Sequence, residues 1–316
     1  MIQTLVTGGA GFVGSAIVKK LALGRESVRV LTRHPESIDP RRRTAGTEFF
    51  MGDIFDARAL REAMKGCNGL VIATQFENAP FENPRKGMTY EHVDGEGTEL
   101  QVSAAKETGV ERIIYISGAG TREGRSEPWF HAKARAEKSV RESGLKWTIL
   151  RPSWIYGPTD RSLNRFASWA RLFPIVPIAG AGRQKVQPVF INDVGEIVRL
   201  VLNNPRTHGM VFEIGGPQLL TMKEIVKTLL RVMRKRRIVI PIPKPLVKMA
   251  AAVLQYLPER PITSGGVDFV TMEEVVDNRE LLETLDARLT PLEDGLRTYL
   301  VSKSGLSEDI LRRHAA

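Results

Sequence analysis

Eight residues near the start of the chain, Thr7-Gly8-Gly9-Ala10-Gly11-Phe12-Val13-Gly14, constrain its fold more than any other stretch. They follow the apolar run Thr4 to Val6 and open a helical stretch reaching about Leu23, so the spacing predicts a strand, a tight glycine turn and a helix. Each glycine has its own reason. Gly8 permits the turn, Gly11 lets the backbone approach a pyrophosphate, and Gly14 lets helix and strand pack closely. The pyrophosphate would rest on backbone N–H groups at the positive end of the helix, at Phe12 and Val13.

Short apolar runs then alternate with helical stretches: Val28 to Thr32, Glu48 to Met51, Leu70 to Ala73, a helix over about Val93 to Thr108, Arg112 to Ser117, a helix over about Trp129 to Ser143, and Trp147 to Leu150. This alternation predicts an α/β fold, a doubly wound Rossmann sheet of parallel strands with crossover helices. Gly24, Gly109 and Gly144 stand where helices should stop on a left-handed residue. After Gly157-Pro158 the chain turns Pro and Gly rich, as in Phe173-Pro174-Ile175-Val176-Pro177, which predicts a smaller second domain. A helix over about Asp193 to Leu202 and a strand at Val211 to Ile214 are placed to return to the sheet. The expected division is a nucleotide domain over 1–157 with returning elements at about 185–215, and a smaller interleaved α/β domain from 158–184 and 216–316.

With 316 residues and 42% hydrophobic composition the chain can bury a full core. Its longest apolar run, Met249 to Leu254, is far too short for a membrane-spanning helix. The opening residues lack the pattern of a secretory signal, and Cys67 is the single cysteine, so the expected setting is reducing and cytoplasmic, with peripheral contact to a membrane as a variant. Lys and Arg number 46 against 36 Asp and Glu, a net charge of +10 that raises the question of polyanionic partners. The runs Arg41-Arg42-Arg43 and Arg234-Lys235-Arg236-Arg237 are not interleaved with aromatics, so nucleic acid is not the expected partner.

An NAD site needs an acidic residue at the end of the second strand to hold the ribose 2′-hydroxyl. The sequence there reads Leu31-Thr32-Arg33-His34. Arg33 offers instead a permanently charged planar fork suited to a 2′-phosphate, so NADP(H) is expected in preference to NAD(H). Arg41 to Arg43 would add field to that pocket without contacting anything.

The order of motifs resembles the extended and atypical short-chain dehydrogenases/reductases. It runs through the glycine motif, Gly52-Asp53-Ile54, Ile114-Tyr115-Ile116-Ser117-Gly118, Leu150-Arg151-Pro152, Ile155-Tyr156-Gly157-Pro158, Gln187-Pro188-Val189-Phe190, Glu213-Ile214-Gly215-Gly216-Pro217 and Thr290-Pro291-Leu292. Within that family the likeness is to the atypical branch containing the nucleotide-binding accessory subunit of respiratory complex I. The resemblance implies that Asp53 accepts from the adenine amino group, unless it is a plain turn aspartate, and that Ile54 packs on the ring. Ala73 and Thr74 would lie along the dinucleotide, with Pro152 and Ile155 near the nicotinamide.

The catalytic pattern departs from that family. Lys133 matches its lysine, yet the residue four positions earlier is Trp129 and not tyrosine. Indole has no useful acidity, so this position cannot supply the general acid. His131, two residues from Lys133 on the same helix, points elsewhere. Gly118 stands at the usual helper serine, with Ser117 one position early and therefore facing the other side of the strand. Asp94 stands where the family has asparagine. Lys133 remains a ribose anchor or, on the bland reading, a solvated lysine paired with Glu137. The histidines at 34, 92, 131, 208 and 314 show no metal-ligand spacing, and Cys67 has no activating neighbours.

From Lys244 to Leu257, residues Leu246, Val247, Met249, Ala250, Val253, Leu254 and Leu257 share one helical face. Core packing, the lining of a site for an apolar molecule or quinone, and a face for a protein partner or an anionic membrane are its three readings, the last aided by the basic run upstream. That run also suits the carbonyl end of a helix starting near Met222. The expected function is an NADP(H)-binding protein that has lost tyrosine-dependent chemistry, a redox sensor or an accessory or assembly component linked to quinone or membrane redox machinery. The alternative is an active NADPH-dependent reductase of a conjugated carbonyl or quinone that uses Lys133 without tyrosine. Sugar-nucleotide epimerase chemistry is disfavoured because it relies on the missing tyrosine.

Overall fold

The chain begins with β1 (Gln3–Thr7), α1 (Phe12–Leu23), β2 (Ser27–Thr32), β3 (Thr47–Met51), α2 (Ala57–Met64) and β4 (Gly69–Ile72). It continues with α3 (Gly97–Thr108), β5 (Arg112–Ile116), α4 (Pro128–Arg141), β6 (Lys146–Pro152), α5 (Leu163–Leu172), β7 (Ile175–Ala179), α6 (Ile191–Leu202) and β8 (Met210–Ile214). Last come α7 (Met222–Val232), β9 (Ile238–Ile242), α8 (Lys244–Leu254), α9 (Ser264–Val270), α10 (Arg279–Thr284) and α11 (Leu292–Leu300). The computed structural model describes residues 3–77, 79–254, 256 and 263–301; the side chain of Arg41 and residues Leu257 and His314 lie outside the described residues.

Seven strands form one parallel sheet in the order β8-β6-β5-β4-β1-β2-β3. The strand order reverses between β1 and β4, the place where doubly wound sheets bind ligands. Strands buried on both sides read as continuous apolar runs, as Leu5, Val6, Leu70, Val71, Ile72, Ile113 and Ile114 do here. Helices α1 and α6 cover one face through Ile17, Leu21, Val194, Ile197 and Val198. The other face meets α2, α3 and α4 through Leu60, Met64, Val102, Ala105, Ala136 and Val140. A smaller unit has its own core, which joins α5, α7 and α11 through Leu163, Ala167, Ile225, Leu229 and Leu296, while α10 packs Leu281 into the core of the main sheet. Within the smaller unit β9 pairs parallel to β7.

Several elements differ from what the sequence predicts. Helix α2 went unread; its N-cap Asp56 accepts from the backbone N–H groups of Arg58 and Ala59. The helix expected from Val93 starts as a π-helical turn at Tyr90–Glu96 and becomes α-helical only at Gly97. Gly109 is left-handed just past α3 as expected, but Gly24 is not, and Arg25 takes the positive φ of 65° in its place. Gly144 is left-handed beyond the cap of α4 rather than at it. Of the run from Arg234 to Arg237, the backbone N–H groups of Arg234 and Lys235 close the end of α7 on the Arg231 and Leu230 carbonyls, while Arg237 Nε donates to the carbonyl of Ala170 at 2.7 Å, near the end of α5. The apolar stripe of α8 is largely exposed, and only Ala251 of that helix is buried, which removes the core reading.

Candidate functional site

The glycine turn sits at the C-terminal end of β1, against the end of β4. Gly8 has φ +70°, and a Cβ there would come within 2.3 Å of the Ala73 carbonyl oxygen. At Gly14 a Cβ would meet the Gly8 carbonyl at 2.1 Å, so this glycine fits the helix to the turn more than to the strand. Gly9, unassigned from sequence, lies where a Cβ would strike Val30 at 2.8 Å. Gly11 is different: it is exposed, and a Cβ there would have only the Gly8 carbonyl as a neighbour, at 3.1 Å. Packing within the protein leaves the space above Gly11 open, and no side chain caps the first turn of α1. An anion such as a pyrophosphate fits these free amides and the positive end of the helix.

Arg33, just past β2, is exposed and has no hydrogen bond or ion pair with any described residue. The arginine run is not idle: Arg42 Nη1 donates to the Ala10 carbonyl of the glycine turn at 3.2 Å, and Arg43 Nη2 donates to the Pro35 carbonyl. Both correct the expectation of a contact-free field. Asp53 Oδ1 accepts from the Phe55 amide at 2.9 Å, closing an Asx turn and leaving its other oxygen out of that bond. Ile54 is wedged against Gly97, where a Cβ would come within 2.9 Å of its Cδ1. Thr74 is buried beside Gln101, whose amide reaches its hydroxyl at 3.4 Å and the Gly97 carbonyl at 2.8 Å. Pro152 ends β6 opposite Ile214, and Ile155 packs between the main core and the smaller unit, as Val13 does, with Phe12 on the smaller unit's side.

Lys133 is buried, with Nζ 2.7 Å from Asp94 Oδ1 and 3.3 Å from the Ile116 carbonyl. This overturns the reading of a solvated lysine paired with Glu137. Glu137 is buried and occupied by Ser117 Oγ at 2.6 Å and by Arg151 and Arg141. Burial opposes the charge on Lys133, but Asp94 and Tyr115 together outweigh it and hold the ammonium above its ordinary range. Burial pushes Asp94 up, against the pull of Lys133. A lysine so held keeps its proton and is a poor acid at neutral pH. Ser117 is turned toward α4, where its Oγ donates to Glu137. At Gly118 a Cβ would meet nothing within 4 Å, so a hydroxyl is missing there although there is room for one. His131 is on the surface with Nδ1 3.2 Å from Glu91.

Trp129 is buried in an aromatic cluster with Tyr90, Phe76, Phe130 and Phe269. Neither its indole N–H nor the Tyr90 hydroxyl has a hydrogen-bond partner among the described residues. Close by, in the segment after α9, Glu274 accepts from Ser153 Oγ at 3.4 Å. Burial pushes its carboxyl up to about 7, against hydrogen bonds from Ser153 and the Trp154 backbone. The Tyr90 phenol is raised well above its ordinary value, mainly by burial and further by Asp94, Glu82 and Glu274. Sequence reasoning missed Tyr90 and Glu274 because they are far apart in the chain, and no local spacing marks either one. Among the described residues no cluster of His, Cys, Asp and Glu could hold a metal ion.

The NAD(P)H-binding family model matches residues 8–167. The chain is 28% identical over 270 residues to the mitochondrial NADH dehydrogenase (ubiquinone) 1 alpha subcomplex subunit 9 of Arabidopsis thaliana, an alignment covering 81% of this chain and 64% of that protein. It is 28% identical over 328 residues to the Rattus norvegicus protein of the same name, covering 99% of this chain and 80% of that one. The Thermus thermophilus UDP-glucose 4-epimerase complexed with NAD superposes with a TM-score of 0.76 at 21% identity, over 96% of this chain and 100% of that chain. With half the chain matched by the family model and nearly all of it superposed on the epimerase frame, the protein belongs to the NAD(P)H-binding family and has the extended short-chain dehydrogenase/reductase fold.

Proposed function

We propose that this chain is an NADP(H)-binding accessory or redox-sensing protein, attached to quinone or membrane redox machinery, in which tyrosine-dependent chemistry has been lost. The observation that carries this reading is the contrast within one site. The glycine turn and helix end are fully formed, while buried Trp129 stands at the acid position and Lys133 is locked to Asp94. The nucleotide would be held by Gly8, Gly11, Phe12, Val13, Gly14, Arg33, Asp53, Ile54, Ala73, Thr74, Pro152 and Ile155. Lys133 would stiffen the floor under the ribose through Asp94. The smaller unit would meet the partner. The names of the mitochondrial relatives support the accessory part of the reading.

The preference for NADP(H) rests on Arg33, whose guanidinium is unengaged and so available to a 2′-phosphate. Arg33→Ala is expected to weaken NADPH binding by about 1.5 to 3 kcal/mol, the range for hydrogen bonds to charged groups, and to leave NADH binding nearly unchanged. Calorimetric titration with both nucleotides checks this; equal losses would remove the 2′-phosphate assignment.

A second reading, an active reductase of a conjugated carbonyl or quinone, is favoured by Glu274, whose carboxyl is pushed up to about 7 and which lies near enough to Tyr90 to act on its phenol. A bound NADPH would supply hydride, and the chain would supply orientation and the proton. Single-turnover absorbance of protein loaded with NADPH, against a panel of quinones, enones and aldehydes, separates the two readings. No oxidation above the free-nucleotide rate is expected for the accessory protein.

A further inference from the structure

The outer side of the smaller unit carries more exposed apolar surface than its neighbours can use. Strands β7 and β9 alternate: Val176, Ile178 and Val239 point into the core shared with α7, while Ile175, Ile238 and Ile240 are turned outward. Ile175 and Ile238 are register partners, so these side chains share one patch. The end of α5 joins it, with Leu172 at 73% exposure and Phe173 and Trp169 also exposed. The Trp169 indole N–H is already spent on the Ile175 carbonyl at 2.7 Å, so its ring needs no further polar partner. One residue after β9, α8 begins, with Met249 64% and Val253 70% exposed. Isolated exposed aliphatics need no explanation, but a contiguous set of this size marks a contact surface.

Basic residues border the patch. Lys223, Lys227, Arg231, Lys235, Arg236 and Arg237 line an open recess of about 680 Å³ together with Ile238 and Val239. Arg237 ties this rim to α5 through the Ala170 carbonyl, which sets the charges directly beside Leu172 and Phe173. Lys223, Lys235 and Arg236 have no acidic partner within ion-pair distance among the described residues. Protein interfaces are depleted in lysine relative to the rest of the surface. An apolar face bearing Trp, Phe and Ile beside unpaired Lys and Arg is the complement of an anionic bilayer, apolar groups entering the acyl boundary and cations meeting phosphates.

We infer that the outer face of β7 and β9, with the end of α5 and the basic rim from Lys223 to Arg237, is a docking surface for an anionic phospholipid membrane. This deepens the accessory reading by naming the partner, yet it stands on a surface separate from the nucleotide site, so nucleotide titration and lipid binding fail independently. The test is sedimentation of the full chain with large unilamellar vesicles of pure phosphatidylcholine and of phosphatidylcholine with one third phosphatidylglycerol.

The expected result is binding to the anionic vesicles about tenfold above the neutral ones, weakening as salt is raised. Ile238→Asp with Ile240→Asp, and separately Lys235→Glu with Arg236→Glu, should each abolish most of that binding while NADPH affinity, the control for folding, stays at its original value. Equal binding to neutral and anionic vesicles, or none to either, overturns the proposal. So does a concentration-dependent dimer in solution that the same variants dissolve, which would assign the face to a second copy of the chain.

Discussion

At the scale of single residues, the buried pair of Lys133 and Asp94 decides what the site can do. Two charges taken from water are stable only together, and removing one leaves the other unpaired at a cost of about 3 to 5 kcal/mol. Lys133→Met is therefore expected to lower stability by about that much, and Asp94→Leu added to it should restore a large part. Urea denaturation of the two single variants and the double variant measures the coupling; additive losses would show that the pair does not act as a unit. The sequence made Trp129 and Gly118 readable as departures beside the matching Lys133, because each sits at a fixed distance within one helix or one strand end. It hid Arg42 on the Ala10 carbonyl and Glu274 at Ser153, since those approaches exist only once separate elements have packed. For the same reason the local spacing of Lys133 and Glu137 misled: helical neighbours at i, i+4 lost to the deeper partner that the π-helical turn brings in.

At the scale of elements, periodicity reported the strands of the parallel sheet well, because strands buried on both sides carry unbroken apolar runs. It failed where backbone detail was set from outside the element. Arg25 and not Gly24 is left-handed, and α8 shows an amphipathic stripe without a core beneath it. Helix α7 shows the opposite, a boundary written entirely in local chemistry. Thr221 and Glu224 form a reciprocal capping box, each side chain satisfying the other's backbone N–H. Thr221→Ala is expected to destabilise the protein by about 1 kcal/mol, read as a shift in the denaturant midpoint at unchanged slope. Because α7 underlies the basic rim, the same variant should weaken vesicle binding only as far as it unfolds the unit.

At the scale of the whole molecule, Glu274 ties the segment after α9 to the end of β6 and gives stability a pH dependence. Burial raises its carboxyl from 4.5 to about 7, so between those values the native state holds a proton that the unfolded chain has released. Its contribution is therefore greatest below 4.5 and is lost as pH rises toward about 7, by on the order of 3 kcal/mol. Glu274→Gln keeps a neutral side chain throughout. The variant should match the parent in Tm near pH 4.5 and exceed it by a gap that opens up to about pH 7 and is constant above. A gap independent of pH would mean that the carboxyl is solvated in the native state.

The return of β8 to the edge of the main sheet, beside β6, has a consequence for biogenesis. A ribosome releases the first six strands of the sheet long before the seventh, and until α6 and β8 have emerged, β6 is a bare edge and the side of α1 that meets α6 is uncovered. The nascent chain must pass through a stage with an adhesive margin, of the kind that chaperones guard against intermolecular strand pairing. The part that looks like a self-sufficient nucleotide domain is therefore finished only after the smaller unit's first helix and strand, α5 and β7, have been synthesised.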